Sequence, residues 1–108
     1  MYKILIIEDE TEAASNLQKC IERYGVSRGL EFSVTWLRTA FDFISEGGRH
    51  DLVFMDIDLP GINGLEAAEL MRTYDPVTPL VFVTNLAQYA VRGYAVDALD
   101  FIVKPVRY

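Results

Sequence analysis

The acidic residues of this chain cluster where apolar runs stop, and that placement is its first chemical signal. Glu8, Asp9 and Glu10 follow the run KILII, Asp56 follows LVFM with Asp58 two residues on, Thr84 and Asn85 follow LVFV, and Lys104 and Pro105 follow FIV. Carboxylates brought together repel one another strongly unless a cation joins them. The ion suited to such a set is Mg²⁺, which accepts carboxylate and carbonyl oxygens while keeping several waters. A carboxylate, a hydroxyl and an ammonium around one such ion make a site suited to phosphoryl transfer, where catalysis is chiefly positioning and neutralisation of charge. In that chemistry Asp56 is the nucleophile.

Whether these groups meet depends on the elements that carry them. Strand-length apolar runs, most of them β-branched or aromatic, occur at 3–7, 32–37, 52–55, 80–83 and 101–103. Continuous runs of this kind mark parallel strands covered on both faces. Helical patterns lie between them. The stretch 12–24 repeats Ala14, Leu17, Ile21 and Tyr24 at helical spacing, with Thr11 as its N-cap and Gly25 as its stop. A short pattern over 39–45 closes at Gly47 and Gly48. The pattern over 65–74 turns Ala68 and Met71 inward and ends before Pro76, and the weakest spans 88–94. No repeat, low-complexity tract or linker interrupts this alternation, so the predicted fold is α/β, a doubly wound five-stranded parallel sheet. Such sheets bind ligands beyond the carboxyl ends of their strands, where strand order reverses. With the flavodoxin-like order 2-1-3-4-5, the first and third strands adjoin at that point and their acids share one crevice.

Composition bounds the rest. At 108 residues and 51% hydrophobic content the chain has enough apolar material for one core and one domain. No apolar run approaches the ~20 residues of a membrane helix, and the first residues read as strand with no cleavage pattern, so a cytoplasmic protein without membrane contact is expected. The single cysteine, Cys20, allows no intrachain disulfide and is expected to face the core. The single histidine, His50, is expected to be solvated beside Gly48 and Arg49. A net charge of −6 excludes a basic face for gripping nucleic acid, so DNA binding would belong to another part of a larger assembly.

Taken in order, these residues resemble the receiver domains of two-component response regulators, and the resemblance covers essentially the whole chain. Glu8 and Asp9 match the acidic pair, Asp56 the phosphoacceptor, Thr84 the switch hydroxyl, and Lys104 with Pro105 the lysine before a proline. The resemblance implies that Asp9 and Asp56 ligate Mg²⁺ directly, that Glu8 acts largely through a bound water, and that the backbone carbonyl of Asp58 supplies another oxygen. It implies that Lys104 pairs with a phosphoryl oxygen, that Thr84 swings to hydrogen-bond it, that Phe101 follows Thr84 inward, and that the Lys104–Pro105 bond is cis. The sequence NLAQYAVRGYAVDALDFIVKPV is further similar to receivers attached to LytTR-type DNA-binding domains. The function so implied is a phosphoacceptor switch, modified by a sensor histidine kinase and controlling its own or a downstream DNA-binding output domain. Homodimerisation through the fourth helix and fifth strand is common in the family. Such a domain catalyses only its own phosphorylation and dephosphorylation and is no enzyme in the turnover sense.

The chain departs from the pattern in two respects. Asp58 and Leu86 occupy positions that tune the dephosphorylation rate in this family. Only three residues follow Pro105, where a receiver continues into a fifth helix; residues 1–108 are therefore expected to form a truncated receiver, without that helix or the output domain, and with bare apolar surface on one flank. Three rivals compete. Asp56-Ile57-Asp58 forms the D-x-D of haloacid-dehalogenase-like phosphohydrolases, but those enzymes carry it on the first strand, followed by Thr or Val rather than Leu59 and Pro60. A flavodoxin-like carrier would need a Ser/Thr/Gly phosphate loop after the first strand, and none is present. A degenerate receiver would lack part of the acid set, which is intact here. Glu10 is expected to be a capping or solvated loop acid.

Overall fold

Apolar, β-branched segments become strands and the amphipathic segments between them become helices, giving five strands and three helices among the described residues. The computed structural model describes residues 1–46, 48–86, 96–104 and 106. Along the chain lie β1 (Tyr2–Ile7), α1 (Thr11–Arg28), β2 (Phe32–Leu37), α2 (Ala40–Glu46), β3 (Leu52–Met55), α3 (Gly64–Tyr74), β4 (Leu80–Thr84) and β5 (Asp100–Val103). The helix expected over 88–94 and the peptide bond to Pro105 lie outside the described residues. All strands pair in parallel in the order β2-β1-β3-β4-β5, as expected. No described helix is long and apolar enough to cross a membrane.

Register positions the chemistry. Ile7 lies level with Leu37 on one side and Met55 on the other, so Glu8 and Asp56 leave the sheet at one edge, with Arg38 beside them. Thr84 pairs with Val103, which brings Lys104 out at the same edge. Because side chains alternate along a strand, β1 feeds two cores: Leu5 and Ile7 join Phe43, Met55, Met71 and Phe82 on the side of α2 and α3, while Ile4 and Ile6 join Ala14, Leu17, Ile21 and Val83 on the side of α1. Burial of each large aliphatic side chain stabilises by roughly 1.5–3 kcal/mol. The central β4 is buried at every position. The edge strands β2 and β5 are not, contrary to the reading of these runs as covered on both faces, because each has a neighbour on one side alone. Beside α1 an apolar groove remains, lined by Leu17, Cys20, Ile21, Phe54, Ile102 and Val106. Cys20 thus lines a groove instead of sitting in the core.

Helix ends account for most differences from the sequence reading. Gly25 does not stop α1; it is buried within it, and a Cβ there would meet Leu30 O and Phe32 Cδ2 at 3.0 Å. The helix runs on to Arg28 and stops at Gly29, whose φ of 68° is the left-handed conformation that glycine adopts without strain. Tyr24 is 43% exposed, not inward, its ring facing Phe32 across 6.4 Å. Glu10, not Thr11, holds the N-cap position, without a side-chain cap bond. Thr39 precedes α2 rather than opening it, its hydroxyl accepting the Asp42 amide at 3.0 Å. α3 opens with a reciprocal capping box between Asn63 and Glu66.

Gly64, the first residue of α3, lies against the strand end that carries Asp56. A Cβ there would fall 2.0 Å from the Asp56 carbonyl oxygen, an approach between main chains that no rotamer relieves. We therefore expect Asn63→Ala to lower the unfolding free energy by about 1 kcal/mol, the value of one cap. Gly64→Ala should cost more, ~3 kcal/mol at the upper end of overpacking penalties. Urea denaturation of both variants checks the order; equal losses would mean that α3 can slide away from Asp56 at little cost.

Candidate functional site

Lys104, arriving from β5, sets its ammonium between two buried carboxylates. Nζ lies 2.6 Å from Glu8 Oε2 and 3.1 Å from Asp56 Oδ2, and the two acids are only 4% and 3% exposed. Their remaining oxygens are also engaged: Asp56 Oδ1 accepts the Asp58 amide at 3.2 Å, and Glu8 Oε1 accepts the Glu10 amide at 3.1 Å. The main chain holds both partners in place, since the Asp56 amide donates to Ile7 O and the Lys104 amide to Thr84 O, each at 3.0 Å. The sequence reading placed Glu8, Asp56 and Lys104 in one crevice, and the fold brings them into contact.

The charges do not balance. Burial pushes the Glu8 carboxyl up to about 7 from 4.5, with help from the negative charge of Asp56, while the Lys104 ammonium and the Glu10 amide oppose the rise without cancelling it. Burial alone would lower Lys104, yet its bonds to Glu8 and Asp56 outweigh that and hold it above its ordinary value. Carboxylate oxygens of Glu8, Asp9 and Glu10 lie within 4.8 Å of one another. This oxygen-only donor set, with more negative charge than one lysine offsets, fits a hard divalent cation such as Mg²⁺. Glu10 lies in this cluster and, as expected of a capping or loop acid, is exposed at the N-cap position of α1.

The other expected site residues lie around this centre. Asp58 is exposed, and its amide donates to Asp56 Oδ1. Thr84 is wholly buried at the end of β4, and its hydroxyl accepts the Leu86 amide at 3.2 Å. Phe101 is half-buried on β5, its ring 6.2 Å from that of Phe82 and tilted by 52°. Away from this centre, at the edge where the strands begin, His50 is half-buried rather than solvated.

Two residues near the site, and a third at the far end of α3, were not singled out from the sequence. The indole N–H of Trp36 donates to Glu8 O at 2.7 Å. Arg38, its guanidinium 4.3 Å over the Trp36 ring, donates to Asp9 O at 3.4 Å and to Thr11 Oγ1 at 3.2 Å. Once the strand order places β2 beside β1, the last residues of β2 must flank Glu8 and Asp9, which was the available signal. Arg72 ends α3 with hydrogen bonds to the carbonyls of Val96 (2.7 Å), Thr78 (2.9 Å), Asp75 (3.1 Å) and Asp97 (3.2 Å), tying that helix to the approach to β5. A lone arginine in an amphipathic helix gives no such signal.

A five-stranded parallel sheet with acids converging at its switch point and a lysine from the last strand defines a receiver architecture, and comparison with known proteins agrees. Residues 4–108 match the response regulator receiver domain, and the chain belongs to that family. It is 32% identical over 105 residues to the sensory transduction protein LytT of Bacillus subtilis, covering 97% of this chain and 43% of that protein. It is 36% identical over 104 residues to the uncharacterized transcriptional regulatory protein YkoG of the same organism, covering 94% and 44%. The chain thus spans less than half the length of these curated relatives. Among solved structures, the non-phosphorylated HemR receiver domain of Leptospira biflexa matches with a TM-score of 0.81 at 28% identity, covering 99% of this chain and 85% of that one. The response regulator TrrA of Thermotoga maritima, solved in complex with Mg²⁺ and BeF, matches in fold with a TM-score of 0.84 at 24% identity, covering 99% and 90%.

The Glu8 environment has a pH signature. An acid raised by the fold binds its proton more tightly folded than unfolded, so its contribution to stability is complete below 4.5 and is lost as pH rises to about 7. Urea denaturation in a chelating buffer should therefore show Glu8→Gln gaining stability relative to the wild type across that interval. Parallel curves would mean that Glu8 ionises equally in both states.

Proposed function

We propose that this chain is the phosphoaccepting switch of a two-component transcription regulator, phosphorylated on Asp56 in the presence of Mg²⁺ by a sensor histidine kinase. The reading is carried by one observation, the Lys104 ammonium shared between the buried carboxylates of Glu8 and Asp56. It gives one acid a cationic neighbour for an entering phosphoryl group and leaves surplus negative charge for a metal. Glu8, Asp9 and Asp56, with the Asp58 carbonyl, would hold Mg²⁺, Glu8 largely through a water. The bound ion would supply charge that offsets both the carboxylates and the phosphoryl oxygens.

A carboxylate oxygen of Asp56 attacks the phosphorus of a phosphohistidine. The P–N bond breaks with its electron pair returning to the imidazole, and an acyl phosphate forms. Lys104 pairs with a phosphoryl oxygen, and the Asp58 amide, already turned to Asp56, stays within the same crevice. Attack of water on phosphorus later restores the carboxylate and releases inorganic phosphate, with Asp58 and Leu86 setting the rate. The protein thus catalyses only its own modification and its reversal.

The added charge and acceptor oxygens draw the Thr84 hydroxyl away from the Leu86 amide it now accepts from, and Phe101 follows. Moving such an equilibrium from mostly off to mostly on takes a differential of ~5 kcal/mol, which several charge-assisted hydrogen bonds can supply. The fourth-helix and fifth-strand face would carry the change to a LytTR-type DNA-binding output domain, in the same chain or downstream, with homodimerisation on that face. Similarity to LytT and to a transcriptional regulatory protein supports this output, and the acidic balance of the chain agrees with DNA contact by another domain. The location would be cytoplasmic. A phosphohydrolase using Asp56 and Asp58 is not favoured, since Asp58 is exposed and that D-x-D follows the third strand.

Intact mass after incubation with acetyl phosphate should show one added phosphate on the wild type with Mg²⁺, none in chelator and none on Asp56→Asn. An unmodified wild type that nonetheless binds Mg²⁺ would sink the proposal. In the full-length regulator, Thr84→Ala should take up phosphate normally while its transcriptional output falls; an unchanged output would remove Thr84 from the coupling.

A further inference from the structure

The acidic loop after β1 is held in place by a neighbouring strand. Three consecutive acids, Glu8, Asp9 and Glu10, keep carboxylate oxygens within 4.8 Å of one another. Their mutual repulsion would open a free loop. What opposes it is the end of β2, which binds the main chain of this loop and leaves the carboxylates alone. The Glu8 amide donates to Leu37 O at 3.0 Å. The Glu8 carbonyl accepts the indole N–H of Trp36 at 2.7 Å, and the Asp9 carbonyl accepts Arg38 Nη1 at 3.4 Å. Arg38 also reaches Thr11 Oγ1 at 3.2 Å, where α1 begins, and the Trp36 ring lies under its guanidinium at 4.3 Å.

These contacts fix two successive peptide planes, those following Glu8 and Asp9, between which the Asp9 carboxylate emerges. We propose that Trp36 and Arg38 are positioning residues for the cation site, clamping the carbonyls of Glu8 and Asp9 so that their carboxylates point together before a metal arrives. The inference rests on the receiver reading above, in which Glu8 and Asp9 hold Mg²⁺. Mg²⁺ demands near-octahedral geometry and loses its waters reluctantly, so a loop that had to be gathered at the moment of binding would bind it less well. The roles of the two residues differ. Trp36 gives a single, uncharged hydrogen bond in a half-buried setting, whereas Arg38 gives a planar fork whose two arms span Asp9 and Thr11 and whose flat face needs the indole beneath it.

Two substitutions separate positioning from charge. Trp36→Phe keeps an aromatic face under Arg38 and removes the N–H. Arg38→Lys keeps the positive charge and removes the fork. Calorimetric titration of the metal-free chain with MgCl₂ should show Trp36→Phe raising the dissociation constant on the order of tenfold, as loss of an outer-shell partner does, with Arg38→Lys moving in the same direction. Phosphate uptake from acetyl phosphate should then shift to higher Mg²⁺ concentration yet reach the wild-type plateau, since no group that touches phosphorus has changed. A variant that melts earlier in chelator but binds Mg²⁺ with wild-type affinity would overturn the proposal, because the contact would then serve stability alone. Should Trp36→Phe not fold, the exposed Arg38→Lys carries the same two outcomes. A wild type that binds no Mg²⁺ would overturn the receiver reading itself, a result separable from equal affinities in wild type and variant.

Discussion

Everything at the carboxyl edge of this sheet is arranged around one ammonium. Lys104 comes from β5, at the far end of the strand order from β2, yet it touches the acid that ends β1 and the acid that ends β3. Two carboxylates removed from water are costly, and a buried pair recovers that cost only when its geometry is good and its remaining lone pairs are satisfied. Here both acids meet that condition through amides two residues further along their own chains. One lysine still leaves the site short of positive charge, and it does not offset the burial that, with a smaller push from Asp56, raises Glu8 to about 7. The ion pair is thus a partial solution. It keeps the acids together and leaves them electrostatically unfinished.

The scaffold supplies this arrangement through register. Level pairing of Ile7 with Leu37 and Met55 brings three strand ends to one line. Gly64 then lets α3 start directly against the Asp56 carbonyl, and Asn63 caps it there. Arg72 at the other end of the same helix fastens the main chain at Val96 and Asp97, just before β5. The helix that begins against Asp56 therefore also helps to place the strand that delivers the lysine.

Much of this was legible in the sequence, and the reasons differ by element. Strands were legible because both faces of the central ones are covered, so β1, β3 and β4 read as unbroken apolar runs. The end of α1 was not, because a glycine in a helix reads as a stop unless one knows that Phe32 and Leu30 crowd its face. The acids and the lysine were legible because strand ends are where charge is out of place. Trp36 and Arg38 were not legible, because their significance appears only when β2 is laid beside β1 and what they touch there is mostly backbone, which carries no mark in the sequence.

Thr84 shows why a site of this kind can switch without being fragile. Its hydroxyl is wholly buried and already satisfied, accepting the amide of Leu86 two residues on, while its carbonyl holds the amide of Lys104. In the proposed switch the hydroxyl must give up a neutral local hydrogen bond, worth about 1 kcal/mol net. It gains a bond to a charged phosphoryl oxygen, worth roughly 1.5–3 kcal/mol. In that proposal the difference favours the turned state only while phosphate is present. The bond from the Lys104 amide to the Thr84 carbonyl does not involve the side chain, so in the proposed switch the hydroxyl can rotate without releasing the strand that carries the lysine. The switch can then be reversible at the side-chain level while the sheet beneath it stays fixed.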